Sequence, residues 1–354
     1  MSNINARSIK EIVDKIYRSA RTEHASNVDP NSIKKLIEDI GHWRKDLQAD
    51  AIVKLVRIGG HAVPDLANAL RDTTNEERRR NAALALAKIK DPSAFDTLVR
   101  ALENPQSFVR SEAASALGVR KDRRAVEPLL HRLGDPDKKV AESASEALAQ
   151  IGSPAIPFLM SKLQDKPEID YRLYVIESLV RMEDSRAMDV LVAMLKDPSP
   201  QLRAQGAAAL GRTKNQRAVK SLVKTLDDPV VEVFQSAADA LGEIGTPASV
   251  NGLHSKLDSR PGDVSLCMAI ARTGALGLRP FSAKLRSRNQ RTRYIAAQEL
   301  TLIAASGLIT ADESTSAIIP ALSRALKDES AEVRRASIWA LHIIAIKAWG
   351  NRYR

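Results

Sequence analysis

A chain of 354 residues with 44% hydrophobic and 27% charged residues has the makings of a large core, which excludes a disordered chain and a membrane-embedded one. Aromatics are scarce at 4% while alanine and leucine recur throughout, a balance that suits closely packed helices and disfavours sheets. The net charge of +11 favours an acidic protein, nucleic acid or an anionic surface as partner, and the single cysteine, Cys267, excludes an intrachain disulfide.

The first residues, Met1 to Glu11, lack an apolar run of the secretory kind, so a cytoplasmic protein is expected. Ile9, Ile12, Val13, Ile16, Tyr17 and Ala20 form one amphipathic face. Ile33, Leu36, Ile37, Ile40 and Leu47 form another, with Asp29-Pro30 ahead of it and a polar loop, Arg21 to Asn31, between the two. These helices, over 1–48, are expected to form an N-terminal cap on the periodic segment beyond them.

Residues 49–259 are periodic. Leu55, Leu86, Leu117, Leu148, Leu179, Leu210 and Leu241 stand 31 residues apart. A second series, Leu70, Leu102, Leu133, Leu163, Leu195, Leu226 and Leu257, runs at intervals of 30 to 32, and each member has another leucine four positions earlier. Leucines at i and i+4 share a helical face, so this series marks one helix per repeat. The first series marks the other, where the stripe Phe108, Val109, Ala113, Ala114, Ala116, Leu117 allows close helix approach. Asp135-Pro136, Asp197-Pro198 and Asp228-Pro229 are expected to place a capping Asp before a Pro at the first helical position. Gly59, Gly152 and Gly245 mark the turn inside a repeat. A helical pair of this kind buries both faces only against neighbours, so the expected fold is all-α, an α-α superhelix (α-solenoid) of about eight to nine pairs.

The run Val109-Arg110, Ala113-Ala114, Ala116-Leu117-Gly118, then Arg124-Ala125-Val126-Glu127-Pro128-Leu129 and Asp135-Pro136, resembles the HEAT-like repeat of phycobilisome-lyase type, and residues 203–229 match it similarly. The resemblance spans about 51–345 and implies the solenoid. It leaves function open, because bilin lyase subunits, scaffolds, adaptors and nucleic-acid binders share the repeat.

Repeat four is atypical, with Tyr171 and Tyr174 in place of alanines; they read as local packing or as an interface anchor. Residues 260–354 diverge. After Leu257 the register shortens to about 28, with Arg260-Pro261-Gly262 at the break, and Leu300 to Leu341 spans 41 residues, the excess falling in a polar loop from Ala305 to Ser316. In the last helix apolar side chains point almost all round. It either tucks under its neighbours or offers a homodimer or partner contact through Trp339, Ile343, Ile346 and Trp349.

Two basic patterns accompany the repeat. Arg79, Arg110, Arg172 and Arg203 each precede a first-series leucine by seven residues, and Arg293 and Arg334 precede Leu300 and Leu341 by the same interval. With acids such as Asp135, Asp165, Asp197 and Asp328 in the preceding turns, they read as a structural ladder between repeats. Arg100, Arg132, Lys162, Lys224, Lys256, Lys284 and Arg324 lie one or two positions before the leucine that ends the second helix and point outward. The family resemblance implies that this helix lines the concave surface, hence a basic inner stripe for a partner. From Val264 to Gln298 there are seven basic residues and no acid, among them Arg279, Arg286, Arg288 and Arg291; this strengthens the case for an anionic partner.

Nothing points to catalysis. The histidines His24, His42, His61, His131, His254 and His342 are single, and none precedes the Glu that HEAT-like hydroxylases resembling deoxyhypusine hydroxylase pair with it. Metal-ligand spacing and nucleotide motifs are absent, and Cys267 sits between Leu266 and Met268 in an apolar helix. No metal or cofactor is expected. HEAT-like DNA glycosylases use tryptophans in a basic concavity, whereas Trp43, Trp339 and Trp349 lie near the chain ends. The leading reading is a non-catalytic scaffold or adaptor for a protein with an acidic surface; the alternatives are nucleic-acid binding and a bilin lyase or chaperone-like subunit.

Overall fold

The computed structural model describes residues 29–165, 169–308 and 314–350, and at 164, 169–170, 314–317 and 347–350 the backbone alone. The helix expected over 9–20 lies outside these residues. Within them the chain is helices joined by short turns, with no strand, and it divides into two compact units, 1–184 and 185–354.

In the first unit, α1 (Pro30–Asp39) opens with Asp29 accepting the Asn31 N–H and Pro30 at the first helical position. The helix breaks before Lys45, so Leu47 belongs to α2 (Lys45–Ile58) and not to the face of Ile33 and Ile40. There follow α3 (Val63–Ala69), α4 (Glu76–Lys88), α5 (Pro92–Ala101), α6 (Ser107–Arg120), α7 (Val126–Arg132), α8 (Lys138–Ile151), α9 (Ile156–Gln164) and α10 (Ile169–Arg181). The second unit comprises α11 (Ser185–Met194), α12 (Pro200–Thr213), α13 (Val219–Thr225), α14 (Val231–Ile244), α15 (Pro247–Ser259), α16 (Val264–Arg272), α17 (Ala275–Lys284), α18 (Gln290–Ala305), α19 (Ser314–Ala325) and α20 (Ala331–Gly350).

Both leucine series are buried along their whole length, none of the fourteen being more than 8% exposed. Each such side chain taken out of water contributes about 1.5–3 kcal/mol against the entropy of ordering the chain. The alanine-rich helices of successive repeats pack directly on one another, α4 on α6 on α8 and α12 on α14 on α16. Small residues allow this contact to reach the backbone: a Cβ on Gly118 would stand 2.7 Å from the Ala147 Cα, and one on Gly211 2.8 Å from the Ala240 Cα. The chain is an α-solenoid.

The turn inside a repeat takes a residue of positive φ in most repeats, though not after Leu86, where the helix ends at Ile89 with φ −67°. Gly59, Gly152 and Gly245 take positive φ, as their spacing predicts, but Lys121 (φ 55°) and Lys214 (φ 51°) fill the equivalent position in two repeats.

The Asp-Pro pairs act differently from the expected cap. The alanine-rich helices begin at Lys138, Pro200 and Val231, two or three residues beyond the pairs. Asp135, Asp197 and Asp228 instead accept the N–H two residues ahead, from Asp137, Ser199 and Val230 at 3.0, 2.8 and 3.0 Å. They fold the turn itself. Three rungs of the arginine ladder, Arg110, Arg203 and Arg293, join repeats through an acid from the following turn, whereas Arg79 and Arg334 hold carbonyls of their own preceding turn. Arg110 grips Asp135 and Arg203 grips Asp228, each 25 residues on, while Nη1 of both holds carbonyls of its own preceding turn.

The shortened register has a local cause. Helix α16 has nine residues, where its counterparts α12 and α14 have 14. Gly262, with φ 79°, turns the chain into it. The polar excess after α18 falls mostly on residues 309–313, outside the described ones.

Candidate functional site

The outward stripe at the ends of the leucine helices divides in two. Arg132 meets Glu103 at 3.2 Å and Asp135 at 3.5 Å; Lys162 meets Asp165 at 3.1 Å. Lys256 pairs with Asp227 and Lys284 with Asp258, at 2.5 and 2.6 Å. Except for Asp135 and Asp165, these acids come from the end of the preceding repeat's leucine helix, a position the repeat spacing brings alongside. Arg100 reaches only the Thr97 hydroxyl, at 3.2 Å. Lys224 and Arg324 are exposed without a side-chain partner among the described residues.

The basic stretch from Val264 to Gln298 is likewise partly neutralised from outside its own sequence. Arg272 pairs with Asp239, Lys284 with Asp258, and the buried Arg293 with Asp328 at 2.6 Å and Glu329 at 3.1 Å. Four arginines remain. Arg279, Arg286, Arg288 and Arg291 are exposed and meet no carboxylate among the described residues; Arg286 donates only to the Ser282 carbonyl, at 2.8 Å. All four sit on α17, the turn after it and the start of α18. Acids in neighbouring repeats are invisible to a local count of charge, and they decide which cations are available.

Of the terminal-helix residues, Trp339 and Ile346 are exposed at 62% and 55%, as is Ile338. Ile343 is half-buried, and the Trp349 side chain lies outside the described ones. The Trp339 ring stands edge-on to His342, centroids 6.0 Å apart.

Cys267 and the described histidines fall into packing or surface roles. Burial, with the carboxylates of Glu299 and Asp263, pushes the Cys267 thiol up to about 12, leaving almost no thiolate at neutral pH. His254 is buried with Nε2 at 2.8 Å from the Gly277 carbonyl, and burial pulls its pKa down. Among the described residues, no three His, Cys, Asp or Glu side chains gather as metal ligands, and no helix is long and apolar enough to cross a membrane.

Solved structures with a similar fold include human deoxyhypusine hydroxylase in complex with glycerol (23% identity, 69% of this chain and 96% of that one, TM-score 0.30). The complex of CpcE and CpcF of phycocyanin lyase from Nostoc is 22% identical over 67% of this chain and 97% of that one, with a TM-score of 0.30. Kap121p bound to Ste12p is 13% identical over 96% of this chain and 45% of that one, at 0.44. At these identities the likeness concerns the fold alone. A comparison with curated proteins finds no match. The HEAT repeats profile, by contrast, matches six overlapping stretches from 33–118 to 188–270, and the HEAT repeat profile matches 318–347. With the leucine ladder, the alanine seam and these matches over more than half of its length, the chain belongs to the HEAT-repeat family.

Proposed function

We propose that this HEAT-repeat protein is a non-catalytic scaffold that engages another protein through an acidic surface, and that its working cations are those the fold leaves unpaired. The observation that carries the reading is the contrast between Lys256, Lys284 and Arg293, each engaged by a neighbouring repeat's carboxylate, and Arg279, Arg286, Arg288 and Arg291, which are not. Unpaired, solvated guanidinium groups on adjacent turns carry no structural duty in the solenoid and attract carboxylates or phosphates without first breaking an ion pair. A short turn between two packed helices holds them close together, so an acidic partner is met by a preformed array. Lys224, Arg324 and Arg100 extend the same logic to the basic stripe. The exposed Trp339 and Ile346 supply an apolar contact on the same unit, for a partner or a second copy of the chain.

The same four arginines support a second reading, contact with the phosphate backbone of a nucleic acid. A salt titration separates them. The chain is mixed at 50 mM and 200 mM salt with duplex DNA, with single-stranded RNA, and with acidic proteins recovered by pull-down from the native cell. The scaffold reading expects a recovered protein whose binding falls at least tenfold in the triple variant Arg286→Glu, Arg288→Glu, Arg291→Glu. Tight nucleic-acid binding with a steep salt slope, lost in that variant, would replace it with the second reading.

A further inference from the structure

An open groove runs between the leucine helices α7 and α9 in the first unit, with a volume of about 600 Å³. Its walls are built from equivalent positions 31 residues apart: Glu127 faces Phe158, Leu130 faces Ser161, and Gly134 faces Asp165. On each side these positions follow i, i+3 and i+7, the first two on one face of the helix and the third, Gly134 or Asp165, just past its C-terminal end, and the groove is about 10 Å long at roughly 1.5 Å per residue. Tyr171 of α10 closes the Gly134 end, its ring so placed that a Cβ on Gly134 would lie 3.5 Å from it. Two features hold the space open: Ser161 is small at the middle of one wall, and Gly134 carries no side chain at the end of the other.

The chemistry of the groove runs against that of the rest of the molecule. Glu127 is an exposed carboxylate with no ion-pair partner among the described residues, in a chain of net charge +11; the basic side chains that share its groove are His131, one turn on, and Lys162, which is held by Asp165. Opposite it stands Phe158, 37% exposed, a large aromatic side chain turned to solvent. A carboxylate facing an aromatic ring reads a cation with an aliphatic stem: the charge pairs with the carboxylate while the stem or guanidinium plane lies on the ring. At the far end Asp165 is already engaged by Lys162 at 3.1 Å, so that end offers the Tyr171 ring rather than free charge. Leu130 and Ser161 face each other between the two ends.

We propose that this groove docks a short basic peptide segment of a partner protein, an arginine or lysine entering between Glu127 and Phe158 and an apolar side chain resting on Leu130 and Tyr171. The site is separate from the arginines of the second unit, and neither depends on the other. It gives the scaffold two surfaces of opposite preference, one for acidic and one for basic sequence.

Fluorescence polarisation on the full chain tests this with a labelled twelve-residue peptide in which arginines flank a leucine pair, against the same peptide with glutamines for the arginines, since a glutamate peptide would be a ligand for the arginines of the second unit. The net charge of the protein works against the basic peptide, so non-specific attraction cannot mimic the result. The basic peptide is expected to bind at least tenfold more tightly. Glu127→Lys and Ser161→Phe are each expected to weaken it at least tenfold, whereas Arg288→Glu with Arg291→Glu leaves it within twofold. Equal or reversed preference, no binding of either peptide, or unchanged affinity in Glu127→Lys overturns the proposal. Both substituted positions are at the surface, and thermal unfolding close to that of the parent chain certifies that a loss is local.

Discussion

Arg110 and Asp135 meet across a repeat boundary in a two-pronged contact, Nε and Nη2 donating to the two carboxylate oxygens at 2.8 and 2.7 Å. The third arm, Nη1, holds the carbonyls of Asn104 and Pro105 at 2.8 and 3.0 Å. One guanidinium thus ties together two successive turns, and the aspartate it holds shapes the second of them. Arg203 with Asp228 repeats the arrangement, and Arg293 with Asp328 repeats it again.

Removing Arg110 takes the two-pronged partner from a carboxylate whose side chain is fully buried, leaving it the Asp137 N–H and the more distant Arg132 guanidinium at 3.5 Å. Arg110→Ala is therefore expected to destabilise the first unit by about 3–5 kcal/mol, the cost of stranding one member of a buried pair. Arg110→Lys recovers little of it, since an ammonium cannot fork between the carboxylate and two carbonyls. Urea unfolding followed by circular dichroism measures both; a loss below about 1 kcal/mol for Arg110→Ala, the range of an exposed ion pair, would show that the ladder is decorative.

The same pairs predict how stability depends on acid. Burial pushes the Asp135 carboxyl up, but the hydrogen bonds from Arg110 and the Asp137 N–H outweigh it and hold the carboxyl below its usual range. Hydrogen bonds from Arg203 and Arg293 depress Asp228 and Asp328, and Thr74 takes Asp72 down to about 2. A carboxyl with a depressed folded pKa contributes stability that is whole above its unfolded value, about 3.9, and is lost as pH falls through the folded value. The chain should lose stability steeply between about pH 4 and pH 2. Asp135→Asn should be weaker than the parent chain at pH 7 and converge on it near the acid end, in urea titrations run across that range.

What the sequence discloses depends on the range of the interaction. Leu117 and Leu129 announce themselves, because a buried leucine on a helical face obeys a period of a few residues. So do Gly152 and Gly245, where backbone geometry selects the residue. Lys121 takes the same left-handed turn with no such signal, because its neighbours impose the conformation and the side chain tolerates it. The cations are legible as a pattern and illegible as a site: Lys284 and Arg279 look alike in sequence, and only the Asp258 carboxylate from the preceding repeat distinguishes them. The groove of Glu127 and Phe158 escapes a linear reading for a similar reason, since it exists only when residues 31 apart are laid side by side. Tyr171, an intruder among alanines, is the one local hint.

Gly118 and Gly134 make opposite predictions. A Cβ at 118 would collide with the Ala147 backbone at 2.7 Å, and a backbone cannot rotate away. Gly118→Ala should cost about 1–3 kcal/mol as the helices α6 and α8 are forced apart. At 134 the nearest atom would be an ordinary 3.5 Å away, so Gly134→Ala should leave the melting temperature unmoved. Differential scanning fluorimetry on the pair decides whether the alanine seam limits helix approach.

Lys121 and Lys214 hold φ at 55° and 51°, a region costly for a residue with a Cβ. Lys121→Gly and Lys214→Gly should each stabilise the chain by about 0.5–1 kcal/mol, the relief of strain exceeding the added freedom of the unfolded chain. A decrease in stability on either change would mean that the lysine stem packs productively in the turn.

Glu299 is the outlier of the alanine seam. The residue before the repeat leucine is alanine in six repeats (Ala85, Ala116, Ala147, Ala209, Ala240 and Ala340), lysine at Lys54 and serine at Ser178, and α18 places a carboxyl there that is only 1% exposed. Its Oε1 accepts the Gly262 N–H at 3.3 Å, capping the backbone where α16 has lost its first turn, while Oε2 has no partner. Burial raises the pKa most; Lys284 on α17 and the Gly262 N–H lower it, and Asp258 on α15 raises it further, leaving the net shift upward. An acid with a raised folded pKa keeps its proton when the unfolded chain has given it up, so stability falls as pH rises from the unfolded value, about 4.3, through the folded one. Glu299→Gln cannot ionise. It should match the parent chain near pH 4 and exceed it by about 1–3 kcal/mol once the parent carboxylate is charged and half-satisfied. Melting temperatures of the two proteins from pH 4 to pH 8 carry the test. A gap that widens with pH identifies Glu299 as the group that titrates, and a gap of constant size would mean that its proton is never in play.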